Sequence, residues 1–115
     1  MSAVRIYGIK SCDTCRKAMN WLDEQNMQYQ WHDFRADGLD GEKVKHWLEA
    51  VGVETLVNRR STTWRTLVEA DRNKALDPQQ AIDLLLEHPT LIKRPVIERD
   101  SRVFVGFNAA VRDTL

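Results

Sequence analysis

The apolar positions along this chain change period several times, and each change predicts a new element. Val4, Ile6 and Ile9, with Tyr7 among them, read as a short strand, and Gly8 is expected to permit the turn that follows. Cys15, Ala18, Met19 and Leu22 then recur at helical spacing, while Lys17, Asn20, Asp23 and Glu24 take the other faces. This predicts an amphipathic helix that starts near Thr14 and stops near Asn26. From Tyr29 to Phe34 the sequence is rich in aromatics and roughly alternating, as in a second strand lying parallel to the first across the helix.

Helical spacing returns at Val44, Trp47, Leu48 and Val51, with Asp40 placed to cap the start and Gly52 to end the helix. Between Val53 and Leu76 the pattern is irregular. A clear start follows at Asp77-Pro78-Gln79-Gln80, with Asp77 as N-cap, Pro78 at the first helical position and Gln80 placed for a capping box. Ala81, Ile82 and Leu85 supply the apolar stripe of that helix, which should end around Glu87, before Pro89. Pro95 to Glu98 and Arg102 to Val105 read as two strands joined by a tight hairpin at Asp100-Ser101, and Asn108 can cap a last helix reaching Leu115. The order of elements is that of an α/β fold: a mixed four-stranded sheet with a helical insertion, Leu39 to Leu91, between its second and third strands.

Length and charge narrow the function classes. A chain of 115 residues suits a single domain able to bury a core without structural disulfides. Seventeen basic and seventeen acidic side chains cancel, so no overall field favours direct binding of nucleic acid or of an anionic membrane. The segment Met1-Ser2-Ala3-Val4-Arg5 has no apolar signal-peptide core, and no apolar run approaches the roughly 20 residues of a membrane span. A cytoplasmic protein is expected, in a compartment that keeps thiols reduced and disulfides transient.

Against that background the two cysteines, Cys12-Asp13-Thr14-Cys15, carry the chemistry. A thiol at the first turn of a helix faces unpaired backbone amides and the positive end of the helix dipole, which favour its thiolate. Cys12 is therefore the expected attacking sulfur, and Cys15 the deeper, neutral partner. Residues one helical turn apart can bring their Cα atoms within the roughly 4.4 to 6.8 Å that a disulfide needs. Zinc is disfavoured, since no second cysteine pair exists and His32, His46 and His88 are scattered. Chance buried cysteines are the other plain reading.

Three stretches carry a family resemblance: Tyr7 to Ala18, then Asn58 to Leu67 with its Thr62-Thr63-Trp64-Arg65, then His88-Pro89, Leu91 to Val96 and Val105-Gly106-Phe107. They resemble the family that joins arsenate reductase of the glutaredoxin-coupled type, the transcription regulator Spx and the YffB-like reductases. The resemblance implies a thioredoxin/glutaredoxin-like fold, Cys12 as nucleophile, Arg94 as a companion cation, and a cis bond before Pro95 beside the catalytic thiol. It also aligns Arg59 with the family's second anion-binding arginine, although Asn58 or Arg60 could hold that place instead. The third arginine of the arsenate clamp falls where this chain has Phe107. Losing a charged donor there makes arsenate reduction the weakest of the family's activities for this sequence.

The remaining candidates have plainer readings beside them. Lys10 could add positive potential at the thiolate or hold an anionic substrate, or simply be solvated. Trp21, Trp31 and Trp47 have the spacing of packing residues, and only Trp64 is a site candidate. Arg16 more readily stays with solvent on the helix face. The reading that results is a thiol–disulfide reductase using Cys12, with Cys15 or a second glutathione resolving and Lys10, Arg59, Arg94 and Pro95 at the site. Glutathione is the expected co-substrate, with no bound cofactor or metal. The alternative is an Spx-like redox sensor that binds RNA polymerase and uses the same pair as its switch.

Overall fold

The computed structural model describes residues 4–115, so Met1, Ser2 and Ala3 of the leader argument lie outside the described residues. Two compact units form, one from the residues up to Gly38 together with Arg94–Leu115, the other from Leu39–Lys93. The second corresponds closely to the expected insertion.

The first unit holds β1 (Val4–Gly8), α1 (Asp13–Glu24), β2 (Tyr29–Asp33), β3 (Val96–Arg99), β4 (Arg102–Val105) and α7 (Ala109–Thr114). The strand order is β2-β1-β3-β4, with β1 and β2 parallel and β3 antiparallel to both β1 and β4. This is the mixed four-stranded sheet expected from the sequence. Alternation sets the buried face: Val4 and Ile6 of β1 and Ile97 of β3 pack with Ala18 and Leu22 of α1 and Val111 of α7. Trp21, Trp31, Phe104 and Phe107 close the margins of this core.

Local chemistry explains where these elements stop. After α1, Asn26 takes a left-handed conformation (φ 55°), and the Met27 N–H donates to Leu22 O at 2.9 Å, a Schellman-type ending with an apolar pair across it. Asn108 caps α7 by accepting from the Val111 N–H at 3.0 Å. Asp100 and Ser101 both have positive φ, 54° and 67°, as a two-residue hairpin loop needs to match the twist of β3 and β4.

The second unit contains α2 (Gly41–Val51), α3 (Val53–Leu56), α4 (Thr62–Thr66), α5 (Glu69–Asn73) and α6 (Pro78–Glu87). Asp40 caps α2 through the Glu42 N–H, and Asp77 caps α6 through the Gln80 N–H. Trp47 and Val44 of α2 and Leu84 and Leu85 of α6 are buried, as are Leu56, Leu91 and Ile92. Ile82, expected in the apolar stripe of α6, is only half-buried, and Leu84 takes the buried place. The irregular stretch from Val53 to Leu76 resolves into α3, α4, α5 and a 3-10 turn, Lys74–Leu76. These segments are too short to show a periodic stripe. Among the described residues no helix is long and apolar enough to cross a membrane.

Ser101 has a Cβ in a region that costs L-residues about 1–2 kcal/mol, partly offset in glycine by its greater backbone entropy. Ser101→Gly is expected to raise stability by about 0.5–1 kcal/mol, seen as a higher urea midpoint with an unchanged slope.

Candidate functional site

The site is assembled at the carboxyl ends of the parallel strands β1 and β2, where Gly8 pairs with Asp33. After β1 the chain makes a tight turn, closed by the Cys12 N–H donating to Ile9 O at 3.0 Å, and enters α1. Cys12 is the N-cap residue of α1, extended at φ −81° and ψ 123°. Its sulfur makes no conventional cap of the oxygen type, but the amides of Cys15 and Thr14 face it.

The two thiols are free and differ sharply in environment: Cys12 is half-buried, Cys15 has no exposed surface. Burial opposes ionisation of Cys12, yet the Cys15 amide, the Arg94 guanidinium, the Cys15 thiol and the Thr14 amide together outweigh it. The Cys12 thiol is thereby held below its ordinary pKa. For Cys15, burial dominates and the neighbouring Cys12 charge adds to it, pushing the thiol up to about 12. One sulfur is prepared as a thiolate and the other is kept protonated.

Gly8 serves this arrangement in an unexpected way. It lies inside β1, and the turn is made by the residues after it. A Cβ at Gly8 would collide with the Cys15 sulfur and would lie 3.4 Å from the Trp31 ring. The glycine is thus required by the close approach of α1 to β1, not by the turn.

The structure brings Arg94 to Cys12 and Cys15, with Pro95 next to it in the chain. Arg94 is half-buried, the Arg94-Pro95 bond is cis as the resemblance implies, and the Pro95 carbonyl accepts from the Gly106 N–H at 2.8 Å. Lys10 is exposed, two positions before Cys12. Arg59 belongs to the second unit, where its guanidinium lies 5.6 Å from the centre of the Trp64 ring. With Asn58, Arg60 and Lys93 it lines an open cavity of about 740 Å³. Arg16 pairs with Asp13 on the exposed surface of α1. Phe107 packs edge-on against Trp21, ring centres 5.8 Å apart, and the Arg112 guanidinium lies 5.6 Å from the centre of the Phe107 ring.

One buried polar residue was not legible in the sequence. Asp33, 7% exposed, accepts the Lys10 N–H at 3.0 Å on one carboxylate oxygen and the Arg35 and Ala36 N–H groups at 2.7 and 3.1 Å on the other. Burial alone would raise its pKa, but these donors and the Arg35 charge lower it. In the sequence, Asp33 was one position of an alternating strand, and nothing local marks a donor that arrives from β1.

The ArsC family model matches residues 7–114. This chain belongs to the ArsC family. Other members show how widely the family spreads. An uncharacterized protein of Haemophilus influenzae is 47% identical over 105 residues, covering 91% of each chain. The global transcriptional regulator Spx of Listeria innocua is 32% identical over 108 residues, 91% of this chain and 80% of the regulator. Among solved structures, a YFFB protein matches with a TM-score of 0.90 and 43% identity over 96% of both chains.

The contrast between the two thiols has a direct readout. At pH 6, brief exposure to iodoacetamide followed by peptide mass spectrometry should find the label on Cys12 and essentially none on Cys15. The Cys12 rate should rise with pH to a plateau whose midpoint lies below that of an unperturbed thiol.

Proposed function

We propose that this ArsC-family chain is a thiol–disulfide reductase that uses glutathione. The observation that carries the proposal is the Cys12 sulfur at the start of α1, stabilised as a thiolate by the Cys15 and Thr14 amides and by Arg94. In the first step the Cys12 thiolate attacks the glutathione sulfur of a mixed disulfide. A Cys12–glutathione bond forms, the old disulfide bond breaks, and the substrate sulfur leaves as a thiolate that takes up a proton. In the second step a glutathione thiolate attacks the glutathione sulfur on Cys12. Glutathione disulfide forms and the Cys12 thiolate is released, so the substrate sulfur is returned to a thiol, one glutathione thiol is consumed, and the disulfide bond passes to the glutathione pair.

Cys15 offers a second route out of the intermediate. After losing its proton it can attack the Cys12 sulfur, expelling glutathione and closing a Cys12–Cys15 disulfide that two further thiols must reduce. Burial, the largest cause of the raised Cys15 pKa, persists when the Cys12 sulfur is in a disulfide, so Cys15 stays largely protonated near neutral pH and this route is the slower one. The same slowness would suit a sensor, and the Spx relatives at 32% identity support that second reading. Arg94 would orient a glutathione carboxylate through a charge-assisted contact, with Lys10 and the surface beside Pro95 as further contacts. Arsenate is a poor fit to this reading, because Phe107 is an apolar ring held against Trp21 where the family's clamp has a cation.

Arg94→Ala should raise the apparent Michaelis constant for glutathione by about tenfold or more, since a charge-assisted hydrogen bond contributes roughly 1.5–3 kcal/mol. Steady-state kinetics with a model mixed disulfide and varied glutathione would measure it. An unchanged constant in a folded variant would favour the sensor. Cys15→Ser, treated with oxidised glutathione, should accumulate a mixed disulfide on Cys12 and retain turnover. Complete loss of turnover in that variant would show that resolution needs Cys15.

A further inference from the structure

Asp33 is a carboxylate almost without exposed surface, at the end of a strand, and it touches no substrate group in the reading above. An isolated buried carboxylate is costly unless fully hydrogen-bonded. Here its two oxygens take backbone N–H donors from both sides of the sheet edge: Lys10 on one, Arg35 and Ala36 on the other. The residue is itself immobilised, because its own N–H donates to the Asp37 carboxylate at 2.9 Å and its carbonyl accepts the Asp37 N–H at 2.9 Å. A second strand-to-strand tie, from the Phe34 N–H to Gly8 O at 2.8 Å, fixes the base of the same turn.

The donor Lys10 occupies the first central position of the turn whose last residue is Cys12. That turn decides how the chain enters α1, and so where the Cys12 sulfur stands relative to the Thr14 and Cys15 amides. A turn closed only by its own Cys12-to-Ile9 hydrogen bond could swing as a unit about the end of β1. The bond from the Lys10 N–H to a fixed, ionised carboxylate removes that freedom, and bonds of this charged type are about twice as strong as neutral ones.

We propose that Asp33 is a positioning residue for Cys12, holding the Ile9–Cys12 turn through the Lys10 amide so that the sulfur meets the amides at the start of α1. The proposal rests on the reading of Cys12 as the reacting thiol. It also assigns opposite signs to two effects of Asp33. As a negative charge it opposes the thiolate, and as a clamp it favours the thiolate, and the clamp is the larger.

The test is the pH profile of Cys12 alkylation in the intact protein, with iodoacetamide as probe and no glutathione present. Asp33→Asn keeps an oxygen for Arg35 and Ala36 but turns an NH2 group toward the Lys10 N–H, so it breaks the clamp and leaves the local turn. Its Cys12 midpoint should rise by about one pH unit, with the rate at pH 6 falling about tenfold. A midpoint that is unchanged, or that falls as removal of a repelling charge would make it fall, overturns the proposal. Lys10→Pro deletes the donor itself without touching Asp33, and proline is common at the first central position of β-turns of types I and II. It should reproduce the shift, the double variant should shift no further, and Lys10→Ala, which loses the same side chain but keeps the N–H, should shift less than Lys10→Pro. If Asp33→Asn does not fold, the pair Lys10→Pro and Lys10→Ala decides alone, and equal shifts in both overturn the clamp. Failure of the underlying reading looks different, because wild-type Cys12 would then show no lowered midpoint before any variant is made.

Discussion

The close approach of α1 to β1 is the constraint from which the site follows. The Cys15 sulfur occupies the space that any side chain at Gly8 would need, and the Trp31 ring is in van der Waals range of the same space. This contact buries Cys15 completely and fixes the height of α1 above the sheet. The start of the helix is fixed with it, and Cys12 is left half-buried at the rim. A single packing decision therefore separates two chemically identical residues into an ionisable thiol and a protonated one. Burial raises both, but only Cys12 has enough amides and a guanidinium facing it to reverse the sign.

Rigidity around that contact comes from backbone groups more than from side chains. Parallel pairing of β1 with β2 aligns their carboxyl ends, so the turn after β1 and the turn after β2 emerge side by side. Asp33 joins them with hydrogen bonds to amides from each. On the other side β3 begins just after Pro95, and the Gly106 N–H binds the Pro95 carbonyl, which ties the chain next to Arg94 into the sheet. The proposed reacting sulfur thus sits among elements joined by hydrogen bonds, an arrangement suited to holding a preorganised electrostatic environment.

Much of the fold was legible because its signals are local. The stripe through Cys15, Ala18 and Leu22, the caps at Asp40, Asp77 and Asn108, and the hairpin at Asp100-Ser101 each depend on residues within a turn or two of one another. The stretch from Val53 to Leu76 was not legible in the same way, since α3, α4 and α5 are each too short for a helical period to repeat. Gly8 was recognised as special but for the wrong reason, because a turn is a local explanation and a close contact with α1 is not.

By itself the sequence determined the order of elements, the helical insertion, and the placing of Cys12 and Cys15 one turn apart at a helix start. Periodicity and capping are properties of neighbouring residues, and they survive without a partner. Tertiary structure alone decided the strand order β2-β1-β3-β4, the approach of Arg94 to Cys12 from the other end of the chain, and the role of Asp33 as acceptor for the Lys10 amide. It also decided that Cys15 would be pushed up and Cys12 held down, since a thiol's pKa depends on what surrounds the sulfur in space. Those surroundings are built from segments that only the sheet brings together.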